Sequence, residues 1–277
     1  RKFEAETGAR FIHAYDDPVH APLGLRAARE YSAIAAGADH AQHMTTHIFL
    51  ALGMWDETVA QNAVAAGPDS ARWRPGHYTA WLGYGLLQQG KYQDARRHLE
   101  RVRSNLPVPA RLGNQAYMLS MRAHYLAGTE AWDDGVADWA LDTTVAPVGP
   151  KAMDAYAVGV AHLRRGRAAD AKASLARLER YAARAEGDNT YGASPVLPAI
   201  LLLHLKAEFA VAERRPEEAL RLLSQAAGWA DTLPAEFGPP DIVKPAHERR
   251  GEILLDLGRA AEAQQEFVHA LALAPGR

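Results

Sequence analysis

The stretch RGEILLDLGRAAEAQQEFVHALALAP, residues 250–275, decides the fold. An apolar-striped helix runs into Gly258, and a second helix starts at once. Gly251 stands seven places before that turn glycine and Ala263 five places after it. The spacing recurs in LGYGLLQQGKYQDARRHLERV (82–102), with Gly83, Gly90 and Ala95, and in VGVAHLRRGRAADAKASLARL (158–178), with Gly159, Gly166 and Ala171. The small pair lets two antiparallel helices approach closely, and the turn glycine takes positive φ without steric cost. Phe267, Ala270 and Pro275 complete the last segment.

Weaker copies lie outward from these three. HIFLALGMWDETVA (47–60) turns at Gly53, and AEFAVAERRPEEALRLLSQA (207–226) carries Ala219 after a polar turn. The pattern resembles the tetratricopeptide (TPR) repeat, a helix–turn–helix unit of roughly 34 residues. The resemblance implies an all-α fold, an α-solenoid of about seven helical pairs wound into a superhelix with a concave groove. The units fall near 1–36, 38–70, 75–108, 113–146, 150–184, 198–233 and 244–277, one solenoid domain over 1–277. A generic helical bundle would not need the recurring Gly…Ala spacing. Two connections, AEGDNTYGASPVLP (185–198) and DTLPAEFGPPDIVKP (231–245), are long and rich in Pro and Gly. One of them is expected to fold over the groove.

Composition narrows the function. The chain has 277 residues, no cysteine, and 31 basic against 33 acidic residues. Without cysteine there is no disulfide scaffold, thiolate metal site or Cys nucleophile. Any metal must be held by His, Asp or Glu. The balanced charge argues against nucleic acid as a partner, and no apolar run reaches the ~18 residues of a membrane span. Phosphate-cradling, dinucleotide-binding and nucleophile-elbow motifs are missing, and HERRG (247–251) lacks the second His of a zinc-protease helix.

The histidines carry the chemistry. Six of the twelve precede residue 78: His13, His20, His40, His43, His47 and His77. At about 100° per residue, His40, His43 and His47 share an arc of roughly 60° on one helix face. Side chains three and four apart are near enough to chelate one ion. His13 lies three residues before Asp16, and Pro18 ends that helix and puts His20 in the turn beyond. His98, His124, His162 and His269 read as packed helix residues. The six tryptophans, among them Trp81, read as packing between repeats rather than a stacking platform for bases.

The TPR resemblance supplies a register. In that family the second, fifth and ninth places of each first helix line the concave face. Counted back from Gly53, these places are His40, His43 and His47; counted from Gly90, the second is His77. His13, 34 residues before His47, takes the ninth place of the first unit. Further along, the same places hold His204 and Glu208, then Glu248 and Glu252; His20 and Tyr84 complete the candidate ligand groove.

A closer resemblance lies in IHAYDDPVHAP (12–22), HAQHMTTHIFLALGMW (40–55) and FGPPDIVKPAHERRGEILLDLGR (237–259). These strings are similar to a group of bacterial TPR proteins marked by HAYDDPxHA and HxxHMxxHIF. The likeness runs from about residue 9 to the end and implies the fold and the His/Asp pattern rather than an activity. Members usually carry Pro-Ser where Thr45-Thr46 stands here, so the role of that pair does not carry over. They tend to have further repeats upstream, sometimes behind an export signal, which implies a fragment and leans towards an exported, periplasmic protein over a cytoplasmic one.

The expected metal ligands are therefore His13, Asp16, His40, His43, His47 and His77, holding a divalent transition metal such as Zn, Fe, Cu or Mn. Asp16, His43 and His47 are the candidate catalytic residues. The first functional expectation is a TPR scaffold whose groove binds this metal, a small molecule, a peptide or a protein. The alternatives are a metal-dependent hydrolase or oxidase built in the groove, and a metal-free interaction module.

Overall fold

The computed structural model describes residues 12–34, 37–67, 73–184, 194–234 and 238–274. Among these the chain is all-α, with no strand. It divides into two compact units, the first made chiefly of residues up to 110 and the second of 111–234 and 241–273. Among the described residues no helix is long and apolar enough to cross a membrane.

The first unit holds α1 (Ala21–Ile34), α2 (Asp39–Ala51), α3 (Trp55–Ala66), α4 (His77–Gln88) and α5 (Tyr92–Ser104). Each packs against the next. Ile12, Ala28, Met44, Ile48 and Phe49 form the core between α1 and α2. Helix α2 is buried on all sides from Ala41 to Phe49, the pattern of a central helix rather than a surface one.

The second unit holds α6 (Leu112–Thr129), α7 (Val148–Arg164), α8 (Ala168–Ala182), α9 (Leu197–Ala212), α10 (Pro216–Ala230), α11 (Ala246–Asp256) and α12 (Ala260–Leu273). Consecutive helices again pack together, around Ile200, Leu223, Ile253 and Leu254 in the later part. This is the packing expected of a helical repeat.

One turn is used repeatedly. Gly53, Gly90, Gly166 and Gly258 have φ of 68°, 67°, 69° and 74°. After each, the next residue donates its backbone N–H five residues back: Met54 to Phe49, Lys91 to Leu86, Arg167 to His162 and Arg259 to Leu254, at 2.8–3.0 Å. This bond satisfies a helix-end carbonyl and needs the left-handed residue that glycine supplies. The polar turn at 207–226 has the same bond, Arg215 to Ala210 at 2.8 Å, but Arg214 occupies the left-handed place with φ 58°. The small residues behave as the spacing predicts. A Cβ on Gly251 would lie 2.6 Å from the Phe267 ring, and one on Gly159 would lie 3.0 Å from Ser174 Cβ.

The expected helical pair at 113–146 is not formed. Helix α6 is followed by a short 3-10 turn at Val136–Asp138 and extended chain up to α7. The segment AWDDGVADWALDTTVAP lacks a helical apolar stripe and is dense in Asp, Gly and Thr, which favour turns. Polar bonds from α6 hold it instead. Arg122 Nη1 donates to the Trp139 carbonyl at 2.6 Å, Tyr125 Oη to Asp134 at 2.6 Å, and Gln115 Nε2 to Asp142 at 2.7 Å. Arg122 also grips Asp154 of α7 through two bonds of 2.6 and 2.7 Å, both side chains buried. Residues 185–193 and 235–237 lie outside the described residues, and with them the expectation of a connection folded over the groove; Pro275 does too.

Candidate functional site

Asp16 is the hub of the histidine cluster in the first unit. Its Oδ2 lies 3.0 Å from His13 Nδ1 and 3.0 Å from His47 Nδ1. His13 precedes it by three residues; His47 comes from the middle of α2. A carboxylate only accepts, so each ring turns an Nδ1–H towards the same oxygen. His13, Asp16 and His47 bring their ligand atoms within 4.8 Å of one another. His47 is buried, Asp16 largely so, and the His13 side chain is half exposed.

Three more of the expected residues surround this trio. The ring of His43 lies 5.1 Å from that of His47 and 4.9 Å from that of His77. His40 is exposed and stands 6.3 Å from His43. These rings join through stacking and edge contacts; the converging donor atoms belong to His13, Asp16 and His47. His43 is 1% exposed, so it does not stand on an open groove wall. The reason is aromatic cover: Trp81 lies 4.4 Å from His47 and 5.0 Å from His43, and Tyr78 lies 5.0 Å from His43.

The orientation of His43 comes from Asn62. Asn62 Oδ1 accepts from His43 Nδ1 at 2.8 Å, while its amide nitrogen donates to the Thr58 carbonyl at 2.9 Å. That fixes the tautomer and leaves Nε2 as a lone-pair acceptor. His43 Nε2 is buried and has no hydrogen-bond partner. Such an orphan is rare in a folded interior and calls for a ligand or water.

Electrostatics keep the cluster in a ligating state. Burial, then the neighbouring His47, holds the His43 imidazole far below its ordinary pKa and so neutral. His47 is lowered by burial as well, against the opposing pull of Asp16. At Asp16, burial works against ionisation, but the hydrogen bonds from His47 and His13 outweigh it and hold the carboxylate below its usual range. Neutral imidazoles beside an ionised carboxylate are a divalent-cation donor set.

The remaining candidates lie elsewhere. His20 is exposed and bonded to Asp17 Oδ2 at 2.7 Å, while Asp17 Oδ1 accepts from the Val19 and His20 N–H groups and caps the turn after Pro18. Tyr84 is buried edge-on to Trp55, 5.8 Å between rings. In the second unit, Glu208 and Glu252 line a cavity of about 320 Å³ together with Tyr156, Arg164, Lys244 and Arg249. Arg249 bonds Glu208 at 2.5 and 3.1 Å and Glu252 at 2.9 Å, and Lys244 bonds Glu248 at 2.9 Å. The carboxylates are thus largely neutralised by their own cations. His204 is buried 5.8 Å from the Tyr156 ring with both nitrogens unpartnered.

Of the residues read as packing, His98, His124 and His162 are buried. His269 is not: its side chain is half exposed and sits 4.0 Å from the His247 ring. The sequence reading missed Asn62 and gave Trp81 no place in the site. A polar Asn on the buried face of Ala-rich α3 was one available signal. Trp81 at His77 plus four, on the same face, was another.

No protein-family model matches the chain, and no curated protein matches its sequence.

Proposed function

We propose that the protein is a TPR-like α-solenoid that holds one divalent transition metal on His13, Asp16 and His47 and uses it to engage a ligand. One observation carries the metal: a single carboxylate oxygen shared at 3.0 Å by two imidazole nitrogens from different segments. Donors bound at about 2.1 Å and at right angles to each other stand about 3 Å apart. An ion therefore takes the same three atoms once each ring's proton moves from Nδ1 to Nε2, a change of tautomer that leaves both imidazoles as neutral ligands. The set of two nitrogens and one oxygen suits Zn, Fe, Cu or Mn. The solenoid reading, with its superhelix and concave groove, rests on the recurring Schellman turns and the close Gly251 and Gly159 contacts.

Three protein donors leave positions open for a water, a peptide carboxylate or another small ligand. The unpartnered His43 Nε2 favours a second, enzymatic reading. A metal on His13, Asp16 and His47 would lower the pKa of a bound water for attack on an ester or amide, and the fixed neutral imidazole of His43 would accept a hydrogen bond that orients that water. His43 would position the water in this reading, with Asp16 and His47 as ligands.

Elemental analysis of the untagged chain tests the first reading. Relative to the parent, the Asp16→Asn and His47→Ala variants are expected to lose about one equivalent of metal with unchanged circular dichroism. Metal-free protein with no thermal shift on adding Zn²⁺, Cu²⁺, Mn²⁺ or Fe²⁺ would discard it. A His43→Ala variant tests the second: metal retained with ester hydrolysis lost supports it, and hydrolysis undiminished, or absent from the loaded parent, ends it.

A further inference from the structure

A second cluster lies in the last three helices, where neither the repeat pattern nor the histidine-rich N-terminal strings point. Asp231, the C-cap of α10, meets His247 near the start of α11 and His269 in α12. Asp231 Oδ2 is 3.3 Å from His247 Nε2 and 3.8 Å from His269 Nε2. The two rings are 4.0 Å apart and tilted by 32°. The ligand atoms of all three lie within 4.8 Å of one another.

The hydrogen-bond pattern asks for a cation. His247 Nδ1 is 2.7 Å from Glu266 Oε2, and Glu266 is in turn held by Arg250 at 2.9 Å. That short bond uses the His247 Nδ1–H, so in the neutral ring Nε2 is a lone pair. It faces Asp231 Oδ2, another acceptor, at 3.3 Å. Two acceptors so placed need a proton or a metal ion between them. His269 Nε2, at 3.8 Å, is too far from the same oxygen for a hydrogen bond. Ligands bound at about 2.1 Å in a tetrahedron stand roughly 3.4 Å apart, and the observed 3.3 and 3.8 Å bracket that span.

We propose that Asp231, His247 and His269 form a second divalent-metal site, of zinc type, which staples the last helix to the two before it. Glu266 is the positioning residue: a carboxylate on the far nitrogen of a metal-bound histidine fixes its tautomer and raises its basicity. The end of α10 adds the negative pole of its helix dipole beside the cation. A staple has a purpose here, because Ala263 is the one buried residue of α12. Val268, Leu271 and Leu273 are exposed, so beyond Phe267, which packs on the core, apolar contacts do little to hold its C-terminal end. The site is partly open to solvent, which suits a binding equilibrium set by the surrounding metal concentration.

The test uses the full chain carrying His13→Ala and His47→Ala, so that the first cluster contributes nothing. Calorimetric titration with Zn²⁺ is expected to show one equivalent bound, lost when His269→Ala is added. His269 is half exposed, so that substitution leaves the fold intact by circular dichroism. Glu266→Gln is expected to keep the stoichiometry and weaken affinity by about 10–100-fold. Co²⁺ is expected to give a tetrahedral visible spectrum, and Zn²⁺ to slow hydrogen exchange in α12. No binding in the parent, or binding untouched by His269→Ala, overturns the proposal, and the cluster is then a histidine pair shared with carboxylates.

Discussion

His43 is held by Asn62, nineteen residues away on the following helix α3, through a bond of 2.8 Å between Nδ1 and Oδ1. Asn62 is fully buried, so its loss strands the His43 Nδ1–H in the interior. Asn62→Ala is expected to cost about 1–3 kcal/mol of stability, read as a lower urea midpoint. Because the bond also sets the tautomer, hydrolysis by the metal-loaded chain is expected to fall by about 10–100-fold while metal content is kept. Stability lost with hydrolysis intact would confine His43 to a packing role.

The buried neutral histidines set the acid side of the stability curve. Burial takes both His98 and His204 down to about 4, while the unfolded chain titrates near 6.5. Below pH 6.5 the unfolded state therefore binds protons that the folded state refuses. Stability is full above that value and falls as pH drops towards 4, by on the order of 3 kcal/mol for each residue. Urea midpoints between pH 7.5 and 4.5 check this. His98→Gln is expected to flatten the slope; an unchanged slope would remove His98 from the account.

Arg214 stands where four sister turns carry glycine. A left-handed non-glycine residue costs about 1–2 kcal/mol, and its neighbour Arg215 carries the local ion pairs to Glu213 and Glu218. Arg214→Gly is expected to raise stability by about 1 kcal/mol, since the entropy glycine adds to the unfolded chain offsets part of the relief. A lower denaturation midpoint for this variant would mean that the Arg214 side chain holds the turn.

The repeat spacing was legible because it is local. Gly251, Gly258 and Ala263 fall within thirteen residues, and close approach, turn and partner helix follow from that span alone. His40, His43 and His47 were likewise readable as one face, and His13 with Asp16 as neighbours in sequence. What the face looks at was not readable. Trp81 and Tyr78 cover His43 from another helix, turning an expected groove wall into a buried cluster. The trio of Asp231, His247 and His269 draws on three elements separated by 16 and 22 residues, with no periodicity to join them. Residues 130–147 failed for the opposite reason. Their repeat phase promised a helix, but their own turn-forming residues and the bonds from α6 decided otherwise.

Arg122 and Asp154 show what replaced that helix. Both are buried, joined by two bonds, and Arg122 spends its remaining nitrogen on the Trp139 carbonyl. Asp154→Ala leaves an uncompensated guanidinium inside, at an expected cost of about 3–5 kcal/mol. Replacing both partners with apolar residues, Arg122→Met with Asp154→Leu, removes the charges together and is expected to cost less than the single change. The double variant still forfeits the Trp139 bond, so hydrogen exchange should rise in 130–147 while α6 and α7 stay protected. Denaturation midpoints of the two variants and exchange mapping of that connection decide it. A double variant as unstable as the single one would mean that the bond to Trp139, not the ion pair, joins this segment to the unit.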